Sequence, residues 1–595
     1  MSTLRKIKHA LRGEVKLTTA VLEALRRTRA SLVSRRERAE LDKQDSLNLC
    51  SPDRVAKFFP PELIEAPEPI TFNEPTEWNR DPRSGYLWPL DYHRDIQLMR
   101  SDGSDVRVVW ELNRLGHLIN LGQAYRLTRD EKYTDQFLTQ LHSWSEANPY
   151  GRGPNWTCAM EVALRAVNLI VARELFRDSP QLDARFLLRL FQQHGNYIRS
   201  NLEFSYIATS NHYLSDVAGL LWLGVMAPEL CDATRWRDFG LKELLREMDK
   251  QVLEDGADFE ASTGYHRFVT ELFLYSFLLC RVNDIEIGEK YWRKLHSMLL
   301  YIRAYLRPDG FAPLIGDTDG GQFPLLQQRR ADDHGYLLEI GADVFNDPSL
   351  CDPEPGSKAF PQAGIYIMRR DDLYLCFNAS GAGINGRGSH GHNDALSIEV
   401  SAGGVAFIVD PGTYVYTGDL QKRHEFRSTA YHSTVKIDGV EQNTIGRDAP
   451  FVIGDEARPR VLLWETEPQI DRIVAEHYGY RRLKHPITHR RTVIFHKPER
   501  SWLIEDEFDG AAVDHEFEIR FHFAPGLQVD TDETNLEIRD PHTDLTLHVR
   551  SLSLAVSPAL EQQFTSRNYG ELQESFTACW RFSGPPRKLS WKLSL

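Results

Sequence analysis

Ser389-His390-Gly391-His392-Asn393-Asp394 gathers two imidazoles, an amide and a carboxylate into six residues. An imidazole takes or gives a proton near neutral pH and also ligates metals. Histidines at i and i+2 point the same way on an extended segment and apart on a turn. The alternation Leu396-x-Ile398-x-Val400 that follows predicts a strand, so the cluster sits at a strand mouth. Downstream, Asp410 closes the apolar run Val405–Val409, and His432 precedes Ser433-Thr434-Val435. His392, Asp410 and His432 offer the nitrogen and oxygen donors that suit a zinc-like ion. The same residue types also build a hydrogen-bonded His–Asp network that holds loops, and type alone does not choose between the two.

Two polar blocks occur earlier. Thr209-Ser-Asn-His-Tyr-Leu-Ser-Asp216 offers the Asn211 amide and the His212 imidazole, and Asp255–Arg267 offers Tyr265, His266 and Arg267. Both stand at the start of an apolar-periodic stretch, where free backbone N–H groups favour anions. The competing reading makes Asn211 a helix cap and leaves Tyr265 and His266 as packing residues.

These residues need elements to carry them. From about 105 to 345 the apolar spacing is helical: one helix over Val109–Ile119, then Lys132–Trp144, Trp156–Val171, Leu182–Phe191, Tyr213–Val225, Leu241–Leu253, Tyr265–Leu279 and Tyr291–Leu306. Glu161 and Arg165 form an i,i+4 pair within the third. Pro353–Gly356 marks a break, after which strands are predicted at Ile365–Met368, Leu373–Phe377, Leu396–Val400, Val405–Val409, Thr434–Ile437, Arg491–Phe495 and Phe517–Phe523. In the last, Phe517, Ile519, Phe521 and Phe523 alternate with Glu518, Arg520 and His522, which predicts one buried and one polar face. The fold class is multidomain α+β: a lead-in over 1–104 with a basic helix at 4–40, a helical domain over 105–355, and an antiparallel sandwich of two sheets over 356–595.

The length of 595 residues calls for more than one core, and a net charge of -14 disfavours a general nucleic-acid binder. The seven cysteines are scattered, which predicts small buried hydrophobes rather than a disulfide framework or a cysteine zinc site. No apolar run is long enough to span a membrane. The basic N-terminus lacks an apolar run and cleavage site, so cytoplasmic placement is expected, with periplasmic or exported placement left open.

Three blocks carry a resemblance: Trp156–Glu161 with Arg165; Asn211-His212-Tyr213 with Gly256–His266; and Gly388–Ala395 with Val409–Gly412 and His432–Val435. Together they resemble the heparinase II/III family of polysaccharide lyases. That resemblance implies an incomplete α/α toroid followed by an antiparallel β-sandwich, acting on a uronate-containing polysaccharide or oligosaccharide by β-elimination. It implies that Asn211 neutralises the uronate carboxylate with His212 beside it, that Tyr265 is the acid toward O4 and for some epimers the base, and that His390 is the base or the partner of Tyr265. It also implies a structural zinc held by His392, Asp410 and His432. His266 and Arg267 are candidate charges near Tyr265; Arg165, Arg267 and Arg387 are candidate anion clamps. Two rival readings stand: a glycoside hydrolase using carboxylates among Glu203, Asp216, Asp258 and Glu260, and a carbohydrate-binding protein without turnover.

Overall fold

The computed structural model describes residues 19, 21–28, 47–52, 54–58, 77–324, 326–384, 386–532 and 534–595. The basic helix expected over 4–40 lies outside them apart from residue 19 and Val21–Thr28, which are helical, and much of the proline-rich lead-in lies outside them too. The chain forms two compact units. One comprises Met1–Lys250, Glu271–Tyr291 and Gln322–Gln328; the other comprises Gln251–Thr270, Trp292–Gly321 and Arg329–Leu595.

The first unit is helical, with Val106–Asn113, His117–Thr128, Lys132–Ala147, Ala159–Leu175, Ala184–Ser200, Asn211–Met226 and Ala233–Gln251. The single helix expected across 109–119 is two helices, because Leu115 adopts φ 58 between them. A left-handed leucine costs about 1 kcal/mol; here its side chain is fully buried, which offsets the strain. The helix Ala159–Leu175 is buried over most of its surface. The i,i+4 pair Glu161 and Arg165 is satisfied by other elements and not by each other: Glu161 accepts two 2.7 Å bonds from Arg114, and Arg165 donates to His194 at 2.9 Å. Cys50 and Cys231 form a disulfide that the scattered cysteine spacing did not suggest. Cys158, Cys280, Cys376 and Cys579 are buried free thiols as expected, whereas Cys351 is exposed.

The second unit takes the start of the helix Thr263–Val282, most of the helix Glu289–Tyr305, and the strands. In chain order these are β1 (Lys358–Phe360), β2 (Ile365–Arg370), β3 (Leu373–Asn378), β4 (Ser397–Ala402), β5 (Val405–Ile408), β6 (Val435–Ile437), β7 (Arg460–Thr466), β8 (Ile470–His477), β9 (Ile487–His496), β10 (Ser501–Gly510), β11 (His515–His522), β12 (Gln528–Asp532), β13 (Asn535–Arg539), β14 (Thr546–Ser551), β15 (Ala559–Thr565), β16 (Gln573–Gly584) and β17 (Lys588–Ser594). They make three antiparallel sheets where two were expected: β1-β2-β3-β4-β5, β12-β13-β14-β17-β10-β9-β8-β7, and β15-β16-β11-β6. All three contribute to one apolar core that includes Phe377, Val493, Phe521 and Trp591.

The β11 alternation holds for Phe517, Ile519 and Phe521, but the opposite face is not open. Arg520 is buried between Glu518 and Glu561, and His522 bonds Thr577 and Thr565 at 2.9 Å each. Likewise β4 is buried on both faces. Alternation reveals the apolar face; it does not reveal what covers the polar one.

Candidate active site

Asp317 is the hub of the second unit's polar cluster, and sequence reading did not single it out. Its carboxylate accepts from Arg423 through Nη1 and, at 2.7 Å, through Nη2. It also receives His390 Nδ1 and His392 Nε2, each at 2.9 Å. The two imidazoles at i and i+2 therefore converge on one carboxylate. Burial alone would raise the Asp317 carboxyl, but Arg423 and the two histidines outweigh it and hold the group well below the usual carboxylate range. An ionised carboxylate can only accept, so His390 carries a proton on Nδ1 and His392 on Nε2.

Backbone geometry brings Tyr265 to this hub. The helix Thr263–Val282 begins against the segment that carries Asp317: Thr263 donates its N–H to Ile315 O at 3.1 Å and its hydroxyl to Pro313 O at 2.6 Å, and Ser262 Oγ donates to Asp317 O at 2.5 Å. The approach is close enough to require glycines. A Cβ on Gly264 would lie 3.0 Å from Asp317 O, and one on Gly316, at φ +68, would lie 2.8 Å from His390 O. Asp317 N in turn donates to His390 O at 2.8 Å.

The result is a face-to-face pair. The Tyr265 and His390 rings stack with centroids 3.6 Å apart and planes 21° apart. The other nitrogen of His390, Nε2, lies 3.5 Å from Glu260 Oε2. The Tyr265 hydroxyl lies 3.2 Å from that of Tyr416, whose ring is overlain by the Arg423 guanidinium. Burial, followed by the charges of Asp319 and Asp317, pushes the Tyr265 phenol well above its ordinary value despite the Tyr416 bond. It is therefore a proton donor in the resting protein.

His392 and His432 face each other with ring centroids 5.3 Å apart, and donor atoms of His392, Asp410 and His432 lie within 4.8 Å of one another. His432 Nδ1 is bonded to Asp410 Oδ2 at 2.8 Å. The remaining nitrogens, His392 Nδ1 and His432 Nε2, are buried without a hydrogen-bond partner. Orphaned imidazole lone pairs beside a carboxylate fit a cation, and the Asp317–His392 bond is the outer-shell contact that orients a metal-ligating imidazole. The set could hold a metal ion. Asn393 braces the loop from beneath, exchanging bonds with Asn443 at 2.9 and 3.0 Å.

Several expected contacts are committed to packing instead. His266 receives Asp258 N at 3.1 Å and reaches Met298 O at 3.1 Å, and burial lowers it to about 4. Arg267 is buried and donates to Gly321 O. Arg165 is buried, donates to Asn113 O and Asn155 O besides His194, and lies over the Trp144 ring. All three are buried and make these bonds inside the protein. Arg387 is half-buried, with its backbone N–H on Gly383 O at 3.0 Å. In the first unit, Asn211 is the first residue of its helix, with Ser210 as the capping position, and is buried. His212 follows it, partly exposed and bonded to Glu203.

Asp317, Arg423 and Tyr416 had faint signals in sequence. Ile315-Gly-Asp-Thr-Asp-Gly-Gly321 is a glycine-rich acidic turn between helices, and Tyr416 and Arg423 follow the Pro411-Gly412 turn.

Both the sequence and the fold resemble those of known proteins. The heparinase II/III N-terminus family model matches residues 18–329, and the heparinase II/III-like C-terminal model matches 352–592. A heparin-sulfate lyase of Pedobacter heparinus is 28% identical over 440 residues, covering 70% of this chain and 62% of that protein. One from Bacteroides stercoris is 24% identical over 462 residues, covering 72% and 66%. The chain thus spans a little under two thirds of the length of these relatives. The crystal structure of heparinase III shares the fold, with TM-score 0.70 at 17% identity over 96% of this chain and 91% of that one. The chain belongs to the heparinase II/III family.

Proposed function

We propose that this protein is a polysaccharide lyase that cleaves a uronate-containing chain by β-elimination. The observation that carries the reading is the Tyr265–His390 stack, locked through Asp317. Elimination needs a base at C5, an acid at the departing O4, and a donor that neutralises the adjacent carboxylate. His390, with its Nδ1 proton pledged to Asp317, offers Nε2 as the base. Tyr265, kept protonated, gives its hydroxyl proton to O4. The amide expected to meet the carboxylate, that of Asn211, belongs to the first unit. Atoms balance without water: one C5 proton leaves, one proton reaches O4, and a C4–C5 double bond remains.

His392, Asp410 and His432 are the ligands for a zinc ion. When bound, such an ion braces the loop that carries His390. His392→Ala is expected to lower metal content by one ion per chain by elemental analysis and to lower Tm; unchanged metal content in that variant excludes this ligand set. The names of the curated relatives make heparan-type uronates the first polymers to test. The Cys50–Cys231 bond favours an oxidising compartment over the cytoplasm. The test is a panel of uronate polysaccharides read by ultraviolet absorbance of the unsaturated end. Cleavage without that absorbance would support a hydrolase, and binding without cleavage a carbohydrate-binding protein.

A further inference from the structure

The first unit holds a second cluster of donor atoms. Cys158 immediately precedes the helix Ala159–Leu175, Glu203 follows the helix Ala184–Ser200, and His212 is the second residue of the helix Asn211–Met226. Donor atoms of the three lie within 4.8 Å of one another. Cys158 Sγ is 3.9 Å from His212 Nδ1, which is bonded to Glu203 Oε2. We propose that Cys158, Glu203 and His212 bind a divalent zinc-class cation, at a site separate from His392, Asp410 and His432.

Geometry comes first. Ligand bonds of about 2.3 Å to sulfur and about 2.0 Å to nitrogen place the two donors roughly 3.5 Å apart across a tetrahedral ion. The Cys158–His212 spacing needs adjustment of only a few tenths of an ångström, whereas Glu203 Oε2 and His212 Nδ1, now bonded to each other, must part to admit the ion. Glu203 is held by a bond from Ala159 N to Oε1 at 3.1 Å, which leaves Oε2 turned to the cluster. Next to it, Asp216 takes Glu203 N on Oδ2 at 2.7 Å, while its other oxygen, Oδ1, is buried without a hydrogen-bond partner. Asp216 thus carries a buried, unpartnered carboxylate oxygen next to Glu203.

Charge supports the assignment. Two carboxylates, those of Glu203 and Asp216, lie side by side in this cluster. Groups that repel one another's charge are stabilised by a cation among them. On binding, the Cys158 S–H proton leaves to solvent, a metal–sulfur bond forms, Glu203 binds as the carboxylate, and His212 presents Nδ1 with its proton on Nε2. A thiolate selects a borderline-soft ion over magnesium or calcium. His212 and Glu203 are 40% and 26% exposed in their side chains, so the fourth position opens to solvent. The assignment does not depend on the lyase reaction.

Cobalt(II) titration of the chelator-stripped full chain tests it. The expected result is a near-ultraviolet thiolate-to-cobalt charge-transfer band that is present in the wild type and in His392→Ala and absent in Cys158→Ser, with one fewer cobalt bound in the last. His212→Gln keeps the thiol and is expected to weaken cobalt binding by about tenfold or more. A cobalt-loaded wild type without the band, a band that survives in Cys158→Ser, or unchanged affinity in His212→Gln would overturn the site.

Discussion

Two Arg–Asp–His clusters lie buried in the second unit, and they differ in what the imidazoles meet on their far sides. In the first, Asp317 binds Arg423, His390 and His392. In the second, Asp506 binds Arg491 at 2.7 and 3.0 Å and His489 at 2.6 Å. His489 stacks on Phe508, with centroids 5.3 Å apart, and meets His477 edge-on at 5.1 Å, a histidine whose own Nδ1 accepts from Gly479 N. His390 instead stacks on a phenol, and His392 faces a second histidine with a bare nitrogen. Residue types are shared, and His489 Nδ1 is also buried without a hydrogen-bond partner, so chemistry is decided by the surroundings: among the described residues His392 joins Asp410 and His432 in a donor set and His489 joins none. The Asp506 cluster still serves the site: Arg491 Nη1 donates to Leu396 O and Ser433 O, each at 2.8 Å, just beyond the loop's last residue and just after His432.

The largest effect that would break this comparison is on turnover. Tyr265→Phe and His390→Ala are each expected to lower kcat at least ~100-fold, the usual scale for losing a general acid or base. His489→Gln is expected to hold kcat within a few-fold. Equal losses in all three would erase the distinction between the clusters. Asp317→Asn is the next probe. It leaves Arg423 buried without its counter-charge, on the order of 3–5 kcal/mol by urea denaturation, and it frees His390 to rotate. Its kcat is expected to fall further than that of Asp506→Asn, measured at temperatures where both are folded.

The smallest effect is in acid. Burial alone would raise the Asp506 carboxyl, but Arg491 and His489 hold it down at about 2. A depressed folded value gives stability that is present above the unfolded value near 4 and lost as pH falls through about 2. The shift corresponds to roughly 2 kcal/mol. The Tm difference between wild type and Asp506→Asn should therefore shrink between pH 4 and pH 2. A constant difference across that window would remove the carboxylate's charge from the account.

The parts of this arrangement that repeat were legible in sequence. Apolar period placed most helices to within a few residues and located the strands around His390, and the short polar blocks marked Tyr265 and His390, which the structure brings together. What depends on tertiary approach was not. The helices Thr263–Val282 and Glu289–Tyr305 read like their neighbours, yet they are divided between the two compact units. Arg165 and His266 look reactive by type, and only burial shows their polar atoms bonded inside the protein. Asp317 and Arg423 are 106 residues apart in sequence, so no local pattern could pair them.

The most direct test of the central claim is cleavage of an active uronate polymer in heavy-oxygen water, with product ends read by mass spectrometry. β-Elimination by Tyr265 and His390 predicts unsaturated ends and no heavy oxygen in either fragment. One heavy oxygen per cleaved bond, with saturated ends, would contradict it.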